Sequence, residues 1–212
     1  FLMPTFLLVT GYLLNVDKTF RKFTTYLLRI LLPYVILVTG YMVLSLYLPV
    51  RDGIQQLDWH TAFNVLCIHS IGPYWFFRVM LICGFLCYVT FRCLSQESIY
   101  LKLLTFGIVL LFVSCFTPIL NWEQAFYYFV GVVLRMSKAN YNKVFFPSCL
   151  SVVPLLLILF IAPKWNWSNL LVLVMTFCFL SFASSLKRFC HGKPLETILY
   201  IGRNTLPIYM FH

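Results

Sequence analysis

Residues 30–49, ILLPYVILVTGYMVLSLYLP, form a run of twenty residues without a charged side chain. A helix needs about 20 apolar residues to cross the hydrocarbon core of a bilayer. The rest of the chain has the same character, since 61% of its 212 residues are hydrophobic and only 10% are charged. This composition excludes a disordered chain, a collagen-like fibre and an ordinary soluble domain. The sequence therefore predicts an all-α fold, a polytopic transmembrane helical bundle.

The chain contains room for about seven or eight membrane passes of this length. Both termini fall inside apolar runs, so we expect residues 1–212 to be a single transmembrane domain that is truncated at both ends. The apolar segments are 1–14, 30–49, 73–91, 99–117, 125–134, 144–163, 169–186 and 195–212.

The basic residues are distributed unevenly between alternate connections. Of the sixteen Lys and Arg residues, thirteen lie in or beside one alternating set of connections and three in the other. Because basic loops stay in the cytoplasm, this predicts an integral, multi-pass protein of the cytoplasmic (inner) membrane. The predicted cytoplasmic connections are 15–29, 92–98, 135–143 and 187–194, and the outer ones are 50–72, 118–124 and 164–168.

Membrane lipid is therefore the expected partner of the basic residues, and nucleic acid is not. No basic run is interleaved with aromatic residues on a polar face, although the net charge is +10. Cys83 and Cys87 lie one helical turn apart, but no His or acidic residue has zinc-ligand spacing around them. We expect free thiols, no disulfide framework and no metal site.

The basic stretch 15–33, NVDKTFRKFTTYLLRILLP, allows two interpretations. Its cations either bind lipid head groups or bind a phosphorylated cofactor, because Arg and Lys both suit phosphate. We expect the helix that follows to stop or kink near Pro33. The cations are Lys18, Arg21, Lys22 and Arg29.

Ionisable groups near the predicted outer side are the other candidates for chemistry. His60 and His69 lie in the longest outer connection, where either is a surface group or a general base. Arg78 either extends to the outer interface or faces a polar cavity. Glu123 is either solvated or in contact with substrate. His212 lies in an apolar run, three residues after Tyr209.

Four pieces of the chain resemble motifs of one family in the same order. They are 4–14 (PTFLLVTGYLL), 21–33 (RKFTTYLLRILLP), 72–77 (GPYWFF) and 201–212 (IGRNTLPIYMFH). They are similar to the second helix, the basic cytoplasmic stretch, the Trp-Phe start of a helix and the C-terminal Tyr-x-x-His of acyltransferase family 3. This family of integral-membrane O-acyltransferases includes polysaccharide O-acetyltransferases.

The resemblance implies acyl transfer from a cytoplasmic acyl-CoA, commonly acetyl-CoA, to a hydroxyl of a cell-envelope glycan or lipid-linked sugar. The acyl-CoA is a co-substrate, and no resident cofactor is expected. The family's catalytic His would lie in a helix before Phe1, so we expect residues 1–212 alone to be inactive.

Within this chain the catalytic residue stays unknown, with His69 and His212 as weak candidates. The candidate donor-binding residues are Arg21, Lys22 and Arg29, and those of the substrate path are Thr10, Gly11, Trp75, Arg78, Glu123 and Tyr209. An exporter of polysaccharide precursors and a non-catalytic membrane scaffold are the alternative functions.

Overall fold

A computed structural model shows a chain that is mostly helical, with short turns and connections between the helices. No strand occurs among the described residues, so the all-α prediction is confirmed. The structure describes residues 2–48, 54, 56, 58–68, 70, 74–137, 144–161, 170–189, 196, 197, 200 and 202.

The helices follow the apolar segments along the chain. Three of them, α2, α4 and α5, are long and apolar enough to cross a membrane by length and composition. The helices are α1 (Leu2–Leu13), α2 (Phe20–Tyr47), α3 (Trp59–Cys67), α4 (Trp75–Cys93), α5 (Ile99–Phe116), α6 (Trp122–Met136), α7 (Val152–Ile161, preceded by the 3₁₀ turn Cys149–Ser151) and α8 (Leu170–Phe189).

Helix α2 differs from the sequence prediction at two points. Helix α2 begins at Phe20 rather than near residue 30, so most of the basic stretch is helical. The helix continues through Pro33, so the expected stop there is wrong, and the alternative of a kink stays a prediction. Proline is tolerated inside a membrane helix because neighbouring groups can pair the backbone carbonyl that it leaves free. The predicted outer connection 50–72 also contains a helix, α3.

The described residues group into two compact units. The smaller unit comprises Phe1–Phe6 and Ser137–His212, and the larger unit comprises Leu7–Met136. In the smaller unit the buried Thr5 hydroxyl lies 3.4 Å from that of Thr176. The Phe145 and Phe177 rings lie 5.2 Å apart. The expectation that residues 1–212 form one domain stays a prediction.

Ring contacts fix the helix directions in the larger unit. Phe23 stacks on Tyr88 at 3.8 Å, and Tyr41 lies 6.0 Å from Tyr74. Because the residue number rises along α2 while it falls along α4, these two helices are antiparallel. Short connections join α4 to α5 and α5 to α6, as in antiparallel helix pairs.

Helices α1 and α6 of this unit cross backbone to backbone at two glycines. A Cβ placed on Gly131 would lie 2.9 Å from the Tyr12 nitrogen, and one on Gly11 would lie 3.2 Å from the Val132 nitrogen. Small residues allow such close approach between apolar helices. The close packing of α1 against α6 therefore leaves no space for a side chain at either glycine.

Candidate functional site

The segment between α1 and α2 is fixed against the last turns of α4. The Tyr88 hydroxyl donates to the carbonyl oxygen of Lys18 at 3.1 Å. Its ring stacks on Phe23 with the two planes only 8° apart. One tyrosine on α4 therefore holds both the basic segment and the start of α2.

The Lys18 ammonium is positioned by its own neighbours. Its Nζ lies 4.9 Å from the centre of the Tyr26 ring, within cation–π distance. Just before it, the Asp17 amide donates to the Asn15 side-chain oxygen at 3.0 Å, a local turn that orders the connection. Lys18 is therefore held against α2.

The three candidate donor-binding residues lie on α2 and are exposed. Positions three, four, seven and eight apart share a helix face, so Arg21, Lys22 and Arg29 project from one side. The opposite side is buried and consists of Phe23, Ile30, Tyr34, Val38 and Met42. We call Arg21, Lys22 and Arg29, together with Lys18 just before the helix, the α2 basic face. The three side chains on α2 point away from the core of the larger unit.

Further cations from other helices lie at the same end of the unit. Arg92 is in the last turn of α4. The guanidinium of Arg135, in the last turn of α6, lies 5.9 Å from the Tyr12 ring centre. Lys102 at the start of α5 donates to the Ser95 carbonyl at 2.9 Å. Cations from α2, α4, α5 and α6 thus create a positive field at this end, which favours anionic ligands.

A different polar group lies at the end of α3. The Tyr34 hydroxyl donates to the Leu66 carbonyl at 2.7 Å and lies 2.8 Å from the Ser70 hydroxyl. A guanidinium nitrogen of Arg78 donates to the Ile68 carbonyl. We call Tyr34, Leu66, Ile68, Ser70 and Arg78 the α3 end.

The α3 end satisfies the carbonyls that a terminating helix leaves unpaired. The guanidinium charge also lies at the negative end of the helix dipole, where a cation is favoured. One donor remains, because the Nε of Arg78 is buried and has no acceptor among the described residues. Arg78 therefore has hydrogen-bonding capacity that the described part of the chain does not use.

The structure separates the predicted substrate-path residues into two groups. Trp75 and Arg78 lie in the first turn of α4, and Glu123 lies in the first turn of α6, all of them half-buried. Thr10 and Gly11 instead lie on α1, where Gly11 packs against Val132 in the second half of α6. Tyr209 lies outside the described residues, as do His69 and His212.

Sequence reasoning missed the tyrosines that organise both ends. Tyr34 follows Pro33 in an otherwise apolar span, and Tyr88 lies in another such span. A hydroxyl inside an apolar helix predicts a hydrogen-bond partner, but the sequence does not identify that partner. Among the residues that the structure describes, no three His, Cys, Asp or Glu side chains group as a metal site.

Comparison with known proteins gives one match. The family model described as an acyltransferase domain matches the chain over residues 1–212. No curated protein and no solved structure matches the chain.

Proposed function

We propose that this protein transfers an acyl group from acyl-CoA to a hydroxyl. The chain belongs to acyltransferase family 3, whose model covers residues 1–212. The family and the apolar helices identify an integral membrane protein with acyltransferase chemistry. The proposal adds acetyl-CoA as the donor and a cell-envelope glycan or lipid-linked sugar as the acceptor. It also assigns the protein to the cytoplasmic membrane, with several passes.

The α2 basic face is the observation that supports donor binding most directly. Coenzyme A carries several phosphate groups, and exposed Arg and Lys on one helix face bind such groups by charge-assisted hydrogen bonds. The cations of α4, α5 and α6 lie at the same end and strengthen the field. Their side is cytoplasmic by the positive-inside rule, where acyl-CoA is found.

The chemistry needs a base and a group that stabilises negative charge. The acceptor oxygen attacks the thioester carbonyl while a base removes its proton. The carbon–sulfur bond then breaks, and the protonated base returns its proton to the departing sulfur, so that coenzyme A leaves as a thiol. We place the base on a histidine outside residues 1–212, with His69 and His212 as alternatives.

Donor binding is tested in the full-length protein reconstituted in nanodiscs. Replacing Arg21, Lys22 and Arg29 together by Gln should weaken acetyl-CoA binding, measured by calorimetry, by about tenfold, which corresponds to roughly 1.4 kcal/mol. Arg92→Gln removes one charge at the same end but from α4, and single Arg21→Gln is its matched comparison.

We expect the Arg92 variant to lose less affinity than the Arg21 variant. Equal losses would mean that acyl-CoA responds to the general field and not to α2. Wild-type protein that binds no acyl-CoA would contradict the proposal and favour the exporter of polysaccharide precursors.

A further inference from the structure

The α3 end lies at membrane depth, as the position of Tyr34 on α2 indicates. Helix α2 has 28 residues, or about 42 Å at 1.5 Å per residue, against a hydrocarbon core of about 30 Å. Tyr34 is at the middle of this helix. Any placement of α2 across the membrane therefore puts the Tyr34 hydroxyl and its partner, the Leu66 carbonyl, inside the core.

The chain just before α3 lies beside the C-terminal end of α2, well beyond Tyr34. The Ile54 amide donates to the Ser45 hydroxyl at 3.1 Å, and Ser45 is separated from Tyr34 by about 16 Å of helix. Between residues 54 and 66 the chain therefore descends along α2. Helix α3, with nine residues and about 13 Å of length, covers most of that descent. Its C-terminal end lies inside the membrane region, so α3 is re-entrant.

Backbone that stops being helical inside a membrane must find partners in the protein. Tyr34 and Arg78 supply them by donating to the Leu66 and Ile68 carbonyls. This use of side chains on two spanning helices explains how α3 can end at this depth. It also places a guanidinium where an ionised group is expensive.

The charge of Arg78 lacks a carboxylate partner among the described residues. Among the described residues, the titratable groups that interact with it are Tyr34 and Cys67, and neither is a carboxylic acid. Its Nε is buried and has no acceptor among the described residues, whereas the residue as a whole is half-buried. A half-buried cation without a carboxylate partner in a medium of low dielectric constant favours an incoming anion.

We propose that the α3 end is an anion-binding site inside the membrane, open to the outer side, where Arg78 holds a phosphate or carboxylate of the acyl acceptor. This rests on the proposed function, since it specifies the acceptor as an anionic glycan or a phosphate-linked sugar. The test below uses no acyl-CoA, so its result is independent of donor binding.

Cys67, at the end of α3, reports on the site without any assay of activity. The full-length protein in intact cells keeps Cys67 as its single cysteine. It is treated from outside with the anionic sulfonatoethyl methanethiosulfonate and the cationic trimethylammonioethyl methanethiosulfonate. We expect the ratio of anionic to cationic modification rates to be about tenfold higher than at a single Cys115, an exposed thiol at the end of α5.

Substitutions then separate charge from structure. Arg78→Gln should return the ratio at Cys67 to that at Cys115, while Arg78→Lys should retain most of the preference. A preference that survives Arg78→Gln, a Cys67 that does not react, or reaction only from the cytoplasmic side would each overturn the proposal. If Arg78→Gln does not fold, the protection of Cys67 by added anions is measured in wild-type protein and in the Arg78→Lys variant. Absence of protection in both overturns the proposal.

Competition identifies the source of the anion. Inorganic phosphate and glucuronate are added separately during labelling of Cys67. Protection by phosphate supports a phosphate-linked acceptor, protection by glucuronate supports an acidic glycan, and protection by both supports the shared chemistry. Protection by neither at millimolar concentration overturns the proposed site.

Discussion

The two ends of the larger unit use positive charge in opposite ways. At the basic end, Arg21 and Lys22 are exposed on a helix face, and the order of the segment comes from Tyr88 and Phe23. At the α3 end, the single cation Arg78 is half-buried and binds backbone directly. Exposed charges contribute little to stability, whereas a half-buried cation that donates to the carbonyl at a helix end contributes more. Exposed cations on a helix face thus characterise one end, and one half-buried cation bonded to the backbone characterises the other.

The largest effect is expected from Arg78→Met. The change leaves the Ile68 carbonyl without its donor inside the membrane region, so the free energy of unfolding should fall by about 2 kcal/mol. Unfolding by sodium dodecyl sulfate in mixed micelles measures this. Arg78→Lys is the control, because a smaller decrease in the free energy of unfolding is expected where one donor and the charge remain. If Arg78→Met leaves the free energy of unfolding unchanged, α3 is held in place without this arginine.

A smaller effect is expected from Tyr88→Phe at the opposite end. The ring keeps its stack on Phe23, and only the hydroxyl bond to the Lys18 carbonyl is lost, so the cost should be about 1 kcal/mol or less. Hydrogen exchange of the amides of residues 14–19 should become faster, because the segment loses its attachment to α4. Tyr100→Phe, which removes an exposed hydroxyl on α5, should leave this exchange unchanged. Equal exchange in both variants would contradict the role of Tyr88.

The smallest effect on stability is expected from Arg21→Gln combined with Lys22→Gln. Both side chains are exposed, so the midpoint of detergent unfolding should stay at the wild-type value. The same protein should bind acetyl-CoA more weakly, and calorimetry on the same preparation measures this. A lowered midpoint would show that these cations have a structural role, and the contrast between the two ends would then be wrong.

The sequence predicted the kind of element better than its limits. The uncharged run at 30–49 identified a long apolar helix, but not its start at Phe20, because basic residues before it suggested a loop. Proline chemistry predicted that the helix stops or kinks near Pro33, and the structure shows that it does not stop there. Helix α3 was missed because its nine residues mix polar and aromatic side chains and carry no run long enough to indicate a span.

The candidate site was predicted only in part. Arg21, Lys22 and Arg29 were predicted to bind the donor, which stays a prediction, and their shared exposed face follows from helical periodicity. Arg78 was identified as an unusual cation, yet neither the Ile68 carbonyl nor Tyr34 was predicted beside it. Gly11 was expected on a substrate path, and the structure places it in the backbone crossing of α1 and α6.

Amino-acid order alone determined that this protein is helical, apolar and asymmetric in charge, because hydropathy, helix formation and charge act residue by residue along the chain. The tertiary structure decided that α3 ends beside the middle of α2, that Tyr34 and Arg78 complete its hydrogen bonds, and that cations from four helices lie at one end. These features depend on which distant segments meet. In an apolar bundle the need to pair every polar group determines that choice, and no short stretch of sequence contains both partners.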